Sequence, residues 1–182
     1  FQVKYILISI SKIKKGRVPY VSIITWLHIS DLHICGPITG WDANRILGSL
    51  KDDFKKLQEE HRLCPDLIFV TGDIAYGEIP GYPIIEQFQE AGELLKEIRE
   101  SFSPSIPVDH VFIVPGNHDV NRNSVTPDQT YWLEQQTDLT RIFDLIRSHN
   151  IQWRRYMERL EEYCNFLNKF GYTHLLGNAH YM

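Results

Sequence analysis

The sequence predicts an α/β fold built on a parallel sheet, and two observations carry this prediction. Three short apolar runs rich in β-branched residues, at 22–30, 66–72 and 110–116, are bounded by turn residues and are typical of largely buried strands. Two intervening segments carry apolar residues at helical spacing. An alternating order of strands and helices implies parallel strands joined by right-handed crossovers.

The first helix is expected from about Asp42 to His61, and the second between the second and third strands. Their apolar faces are formed by Ile46, Leu47, Leu50, Phe54 and Leu57, and by Ile84, Phe88, Ala91, Leu95, Ile98 and Phe102. A polar, turn-rich stretch follows at 121–132. Two further helical patterns come next, the second running over 153–170 with Asn150 placed to cap it. We interpret about 138–170 as a helical insertion.

Composition narrows the class of protein. The chain has 182 residues, 43% hydrophobic and 23% charged, which is typical of a soluble globular domain. No apolar run approaches the roughly 18 residues that cross a bilayer, so no membrane partner is expected. Three cysteines, an odd number and far apart, indicate free thiols and a reducing, cytoplasmic compartment.

Charge is distributed unevenly along the chain. Residues 1–20 contain five basic and no acidic side chains, which gives this segment a charge of +5. Because the whole chain has a net charge of −4, residues 21–182 have a net charge of −9. We interpret 1–20 as a basic N-terminal appendage, which is upstream sequence, an irregular edge strand or part of a truncated neighbouring module. Because the main body lacks a basic footprint, nucleic acid is a possible partner but is not favoured.

Polar residues follow each predicted strand at its carboxyl end, where ligands bind in open α/β sheets. Asp31 and His33 follow the first strand, Asp73 follows the second, and residues 117–119, an asparagine, a histidine and an aspartate, follow the third. This mixed set of oxygen and nitrogen ligands suits Mn, Fe or Zn better than Ca or Mg. Two such ions would clamp a phosphate and lower the pKa of a shared water.

Spacing and residue type suggest how the ligands divide between two ions. Asp31 and His33, at i and i+2 of an extended segment, point the same way and can reach one ion. Asp73 can bridge two ions through its two oxygens, and Asn117 offers a neutral oxygen to the second.

The blocks "DLH", "GD" and "GNHD", in this order and each after a strand, resemble the calcineurin-like metallophosphoesterase superfamily over about 25–122. The resemblance implies a four-layer α/β/β/α sandwich with a dinuclear site at the strand ends. It implies that Asp31 and His33 bind one metal, that Asp73 bridges and that Asn117 binds the other. His118 would then protonate the leaving oxygen while Asp119 accepts the other ring N–H of His118.

Two glycine-containing details extend the comparison. Gly116 is expected to let the backbone turn sharply, so that the side chains after it leave in different directions. The run from Gly72 to Tyr76 reproduces the GDxxY of purple acid phosphatases, in which the tyrosine binds ferric iron. That group has glycine where this chain has His33, so we expect Tyr76 to be redundant as a ligand.

The family pattern continues with a strand-terminal histidine and a GHxH block, which this chain lacks. His149, His174 and His180 do not match it. We therefore expect this chain to be the N-terminal part of a longer protein with further domains. The sandwich in this chain is expected to be incomplete on its C-terminal side. We expect the 182-residue chain by itself to be weakly active or inactive.

Two functions of different class remain open. The first is a metal-dependent phosphoesterase in which a bridging hydroxide attacks a phosphomonoester or phosphodiester, with a nucleotide or small phosphodiester as the default substrate. The second is a catalytically degenerate domain that keeps the fold as a binding scaffold. The intact pair His118 and Asp119 favours the enzyme.

Overall fold

The computed structural model describes residues 2–12 and 20–177, and the side chains of residues 24–177. The strands of the described residues form one sheet in the order β1-β2-β3-β4. They are β1 (Gln2–Lys12), β2 (Tyr20–Ser30), β3 (Leu67–Thr71) and β4 (Val111–Val114). β1 pairs antiparallel with β2, whereas β2 with β3 and β3 with β4 pair in parallel. The predicted α/β class with three parallel strands is confirmed.

Seven α-helices occur in the described ranges. They are α1 (Gly36–Thr39), α2 (Ala43–His61), α3 (Ile84–Glu100), α4 (Pro127–Glu134), α5 (Leu139–Ser148), α6 (Ile151–Met157) and α7 (Glu161–Lys169). The predicted start of the first crossover helix is confirmed, since the Asp42 side chain caps α2 by accepting from the Arg45 N–H at 3.0 Å.

The helices α2, α3 and α7 cover one face of the parallel strands. The register aligns rows of buried residues on this face: Leu27, Ile68 and Val111 in one row, and Ile29, Val70 and Ile113 in the next. These rows pack into a single core with helical residues such as Phe54 and Phe88. The opposite face exposes Phe112 and Val114, which is consistent with an incomplete α/β sandwich.

Three elements differ from the sequence-based expectations. Residues 2–12 form the edge strand β1, which was one of the three alternatives for the basic segment; the domain boundary at residue 20 stays a prediction. The single helix expected over 153–170 is interrupted by a 3₁₀ turn at Glu158–Leu160. α4 begins within the stretch expected to be turn-rich, because Thr126 and Gln129 form a reciprocal capping box.

Two further expectations concern the chain as a whole. The cysteines Cys35, Cys64 and Cys164 are free thiols, as expected. Within the described part of the chain, no helix combines the length and the apolar character needed to cross a membrane.

Candidate metal centre

The loops that follow β2, β3 and β4 are joined by backbone hydrogen bonds at one edge of the sheet. The Gly72 N–H donates to the Val114 carbonyl at 3.0 Å, and the His33 N–H donates to the Asp73 carbonyl at 2.9 Å. Because the strands are parallel, their carboxyl ends meet at this edge. The side chains predicted to bind metal therefore extend from loops whose backbones are hydrogen-bonded to one another.

Three of the four predicted metal ligands have a left-handed backbone conformation. The φ angles are 55° at Asp31, 47° at His33 and 51° at Asp73. This conformation costs an L-residue roughly 1–2 kcal/mol and is held only where surrounding structure demands it. We expected an extended segment that would point the side chains of Asp31 and His33 the same way. That expectation is wrong, since neither residue has the backbone conformation of a strand.

His33, Asp73 and His118 come together beside this edge. Their ligand atoms all lie within 4.8 Å of one another, and each residue is half-buried. The two imidazole rings have centroids 4.8 Å apart and lie nearly perpendicular, at 84°. Asp31 lies outside this three-residue group, and Asn117 is exposed to solvent.

One ring nitrogen of this cluster is available to a ligand. Nδ1 of His33 is buried, and no hydrogen-bond partner for it is found among the described residues. A buried polar atom without a partner costs about 1–3 kcal/mol, which coordination or a hydrogen bond to a bound ligand would relieve. Imidazole nitrogen next to a carboxylate is a donor set that Mn, Fe and Zn accept.

The Asp73 carboxylate is oriented by the neighbouring loop. Its Oδ1 accepts a hydrogen bond from the His118 N–H at 3.1 Å. This contact fixes the direction in which the rest of the carboxylate points. Asp73 and His118 are therefore positioned relative to each other by backbone as well as by side chain.

The ring of His118 does not pair with Asp119, which corrects our expectation. Nδ1 of His118 lies 2.6 Å from the Tyr76 carbonyl oxygen. Because a carbonyl only accepts, the ring proton is on Nδ1. Nε2 is then the nitrogen that remains for a substrate or a metal.

Asp119 instead connects two loops. Only 1% of it is exposed, and its two oxygens accept from the backbone N–H groups of Ile74, Ala75 and Gly116, at 3.3, 2.8 and 2.8 Å. Burial raises the pKa of Asp119, although these three donors act in the opposite direction, and the charge of Asp73 raises it further. Both carboxylate oxygens of Asp119 thus accept hydrogen bonds from backbone N–H groups, which explains why the side chain does not bond to the His118 imidazole.

Gly116 is required for a close approach between two loops, and the sharp backbone turn that we expected from it stays a prediction. Its φ lies outside the left-handed region, but a Cβ at this position would overlap Oδ1 and the backbone N of Asp73. Gly72, whose φ is +74°, lies opposite Gly116: a Cβ added to Gly72 would lie 3.0 Å from the Gly116 Cα. The two loops therefore lie backbone against backbone at this point.

Tyr76 borders the cluster. Its ring centroid lies 6.4 Å from that of His33 and 5.8 Å from that of His118. Its redundancy as a metal ligand stays a prediction. The contact that the sequence did not reveal is made by its carbonyl group, which holds His118.

Among the other histidines, His174 lies away from the site because its Nε2 contacts the Val111 carbonyl at the opposite end of β4. His180 lies outside the described residues.

Gln87 is a residue of the site's support that sequence reasoning missed. It is fully buried in α3, and its amide bonds to the backbone at Tyr76, Gly77 and Tyr82. A signal was present: position 87 falls on the apolar face of the helix, between Ile84 and Phe88. A polar side chain at a core position must find partners, and here these belong to the loop after β3.

Comparison with known families gives one match. The family model for calcineurin-like phosphoesterases matches residues 24–180. Searches among curated proteins and among solved structures returned no match. The matched range covers most of β2, all of β3 and β4, both crossover helices and every residue of the candidate site.

Proposed function

Since this chain belongs to the calcineurin-like phosphoesterase family, we propose that it is a metal-dependent phosphoesterase that hydrolyses a phosphomonoester or a phosphodiester. One observation carries the proposal beyond family membership: His33, Asp73 and His118 converge, and Nδ1 of His33 is left without a partner among the described residues. A scaffold does not need such an arrangement, because an unpartnered buried nitrogen only destabilises it.

The proposed centre holds two divalent ions, with Mn, Fe or Zn as candidates. When bound, such ions polarise the phosphate and lower the pKa of a water molecule. His33 and Asp73 are the proposed central ligands. Asp31 and Asn117, which follow the same strand ends, are proposed to extend the shells of the two ions.

His118 is the proposed proton donor to the leaving oxygen. Its Nδ1 is committed to the Tyr76 carbonyl, so a proton can pass only from Nε2. The donation leaves a neutral imidazole that keeps its Nδ1 hydrogen bond. The same nitrogen cannot donate a proton and bind a metal at once, so this role excludes His118 from the metal shell.

Asp119 is proposed to serve catalysis indirectly. Its carboxylate holds the loop that contains Asp73 against the loop that contains His118. It thereby sets the separation between the metal ligand and the proton donor.

A nucleotide or a small phosphodiester is the proposed substrate class. The net charge of −9 on residues 21–182 disfavours a polyanionic nucleic acid. Three free thiols support a reducing, cytoplasmic compartment. Further domains of a longer chain and the helical segment 138–170 are proposed to contribute to selectivity.

The test is hydrolysis of an aryl phosphodiester in the presence of Mn²⁺. We expect turnover that chelation abolishes, that Asp73→Asn removes and that His118→Ala lowers by about 100-fold or more. Because the chain as given is expected to be weakly active, the assay also uses the longest natural chain that contains it. Full activity in either variant would defeat the mechanism and favour the scaffold.

A further inference from the structure

The loop after β3 is held through four consecutive backbone N–H groups. The carboxylate of Asp119 accepts those of Ile74 and Ala75, and Oε1 of Gln87 accepts those of Tyr76 and Gly77, at 2.8 and 3.3 Å. Two buried side chains thus replace the β-ladder where the strand has ended. Residues 76 and 77, whose N–H groups donate to Gln87, form the part of the loop that contacts His118.

All of the hydrogen-bonding capacity of Gln87 is used on this loop. Besides the two bonds accepted by Oε1, its Nε2 donates to the carbonyls of Gly77 and Tyr82, at 2.8 and 2.9 Å. An amide has two acceptor sites and two N–H donors, so none remains free. A fully buried glutamine with every group satisfied orients its partners as firmly as they orient it.

One peptide plane links Gln87 to His118. The Tyr76 carbonyl, which accepts from His118 Nδ1 at 2.6 Å, and the Gly77 N–H, which donates to Gln87, belong to the same peptide group. A peptide group is rigid and its C=O and N–H point in opposite directions. Fixing the N–H on one side therefore aims the carbonyl at the imidazole on the other.

This peptide needs an external restraint because a glycine follows it. Gly77 has φ +117°, which only glycine adopts readily, and its backbone can rotate more freely than that of any other residue. Rotation of the peptide would turn the carbonyl away from His118 and present the N–H to it. A ring facing an N–H must place its proton on Nε2 and accept through Nδ1.

We infer that Gln87 is a positioning residue for His118: by fixing the Tyr76–Gly77 peptide it sets both the direction of the imidazole and the tautomer that carries its proton on Nδ1. The inference rests on the proposed function for its catalytic consequence. The tautomer itself is a property of the chain alone.

The deciding measurement is ¹⁵N NMR of the His118 ring nitrogens in the metal-free chain, under conditions where the ring is neutral. We expect the Nδ1–H tautomer in the wild-type protein. An Nε2–H tautomer in the wild-type protein overturns the inference without any variant, so the test does not depend on a mutant that folds.

Three variants then isolate the role of Gln87. Gln87→Met keeps the length of the side chain but removes all four hydrogen bonds, and we expect it to lose the Nδ1–H preference. Gln87→Glu, which retains acceptors for the Tyr76 and Gly77 N–H groups, should keep it. Gln89→Met, two residues along the same helix, removes only a hydrogen bond to Glu93 and should change neither tautomer nor turnover.

Kinetics separate a positioning role from a merely structural one. In Gln87→Met we expect kcat to fall by about 100-fold with KM within about twofold. The loss should grow as the leaving group becomes more basic, because a poor leaving group depends more on the proton donor. An unchanged tautomer in folded Gln87→Met, or a loss independent of leaving group, overturns the inference.

The two proposals fail in distinguishable ways. If Gln87→Met shifts the tautomer but the wild-type protein hydrolyses no phosphoester, the proposed function fails and the tautomer control by Gln87 stands. If His118→Ala abolishes turnover while folded Gln87→Met keeps the wild-type tautomer, the role of Gln87 fails alone.

Discussion

Replacement of Gly116 by alanine should damage both stability and metal binding. A Cβ at this position would sit well inside the 3.0 Å limit of real Cβ contacts, against Oδ1 and the backbone N of Asp73, and at 3.0 Å from its Cγ. Backbone cannot swing aside as the end of a side chain does. Here the Asp73 backbone is also tied by its carbonyl to the His33 N–H.

The magnitude follows from what must move. Separating the loops breaks the hydrogen bonds His33 N–H to Asp73 O and His118 N–H to Asp73 Oδ1, each worth about 1 kcal/mol net. Overpacking adds about 1 kcal/mol more. We expect Gly116→Ala to lower the free energy of unfolding by about 3 kcal/mol, with at least a tenfold loss in Mn²⁺ affinity because Asp73 is displaced.

Two other glycines provide matched controls. At Gly92 an added Cβ would meet the ring of Phe170, a side chain that can move, so Gly92→Ala should cost stability but leave Mn²⁺ affinity unchanged. At Gly48, an exposed position in α2, an added Cβ meets nothing within 4 Å. Gly48→Ala should stabilise the protein by about 0.5–1 kcal/mol, since glycine is unfavourable inside a helix.

Urea unfolding and calorimetric titration with Mn²⁺ measure both quantities on all three variants. The reasoning is refuted if Gly116→Ala is as stable as the wild-type protein, or if it binds Mn²⁺ as tightly while unfolding more easily. The second result would place Asp73 outside the metal centre.

Four further predictions follow from individual contacts. Asp119→Ala leaves three backbone N–H groups without an acceptor and should cost at least about 3 kcal/mol in urea unfolding, whereas Asp119→Asn, which keeps one acceptor oxygen, should cost less; equal costs would contradict the account. Thr126→Ala removes one half of the capping box of α4 and should lower the free energy of unfolding by about 1 kcal/mol, and a change near zero would argue against this helix start. Burial raises the pKa of Tyr163 and of Tyr172, so above a pH of about 10 the unfolded chain releases protons that the native chain keeps, and the free energy of unfolding should fall as pH rises. Tyr163→Phe should make this fall less steep, and a pH profile of the variant parallel to that of the wild-type protein would count against the prediction. Iron loading should give no visible tyrosinate band, because we expect His33 to take the coordination position that tyrosine takes in purple acid phosphatases; a band that disappears in Tyr76→Phe would overturn this expectation.

The sequence was sufficient to predict the three parallel strands and the edge of the sheet at which the candidate site lies. Runs of β-branched residues separated by helical patterns predicted β2, β3 and β4 and their parallel order. Because parallel strands end at one edge, the polar residues after each run had to lie near one another. Asn150 was also recognisable as a helix cap, since capping depends on local chemistry alone.

What the sequence could not reveal depends on contacts between distant parts of the chain. Two of the backbone N–H groups that donate to Asp119 lie 44 and 45 residues away, and no local pattern specifies them. The left-handed conformations at Asp31, His33 and Asp73 are imposed by neighbouring loops against the residues' own preference. The family resemblance implied a hydrogen bond between His118 and Asp119. In this chain the imidazole bonds to the backbone carbonyl of Tyr76 instead.

The break between α6 and α7 has a similar origin. Apolar spacing over 153–170 is continuous enough to predict one helix, yet residues 158–160 form a 3₁₀ turn. There the Arg159 carbonyl accepts from the Asn121 N–H at 2.9 Å, a contact with the loop that follows the site. Tertiary contacts of this kind override helical periodicity.

The most direct test of the metal centre is an anomalous diffraction map from crystals of the Mn²⁺-loaded protein. We expect peaks for two ions at the carboxyl ends of the parallel strands, with His33 and Asp73 at a coordination distance of roughly 2.0–2.2 Å. Nε2 of His118 should lie beyond that distance, facing the position of the phosphate. A map without density at this edge, or with Nε2 of His118 bound to the metal, would contradict the account.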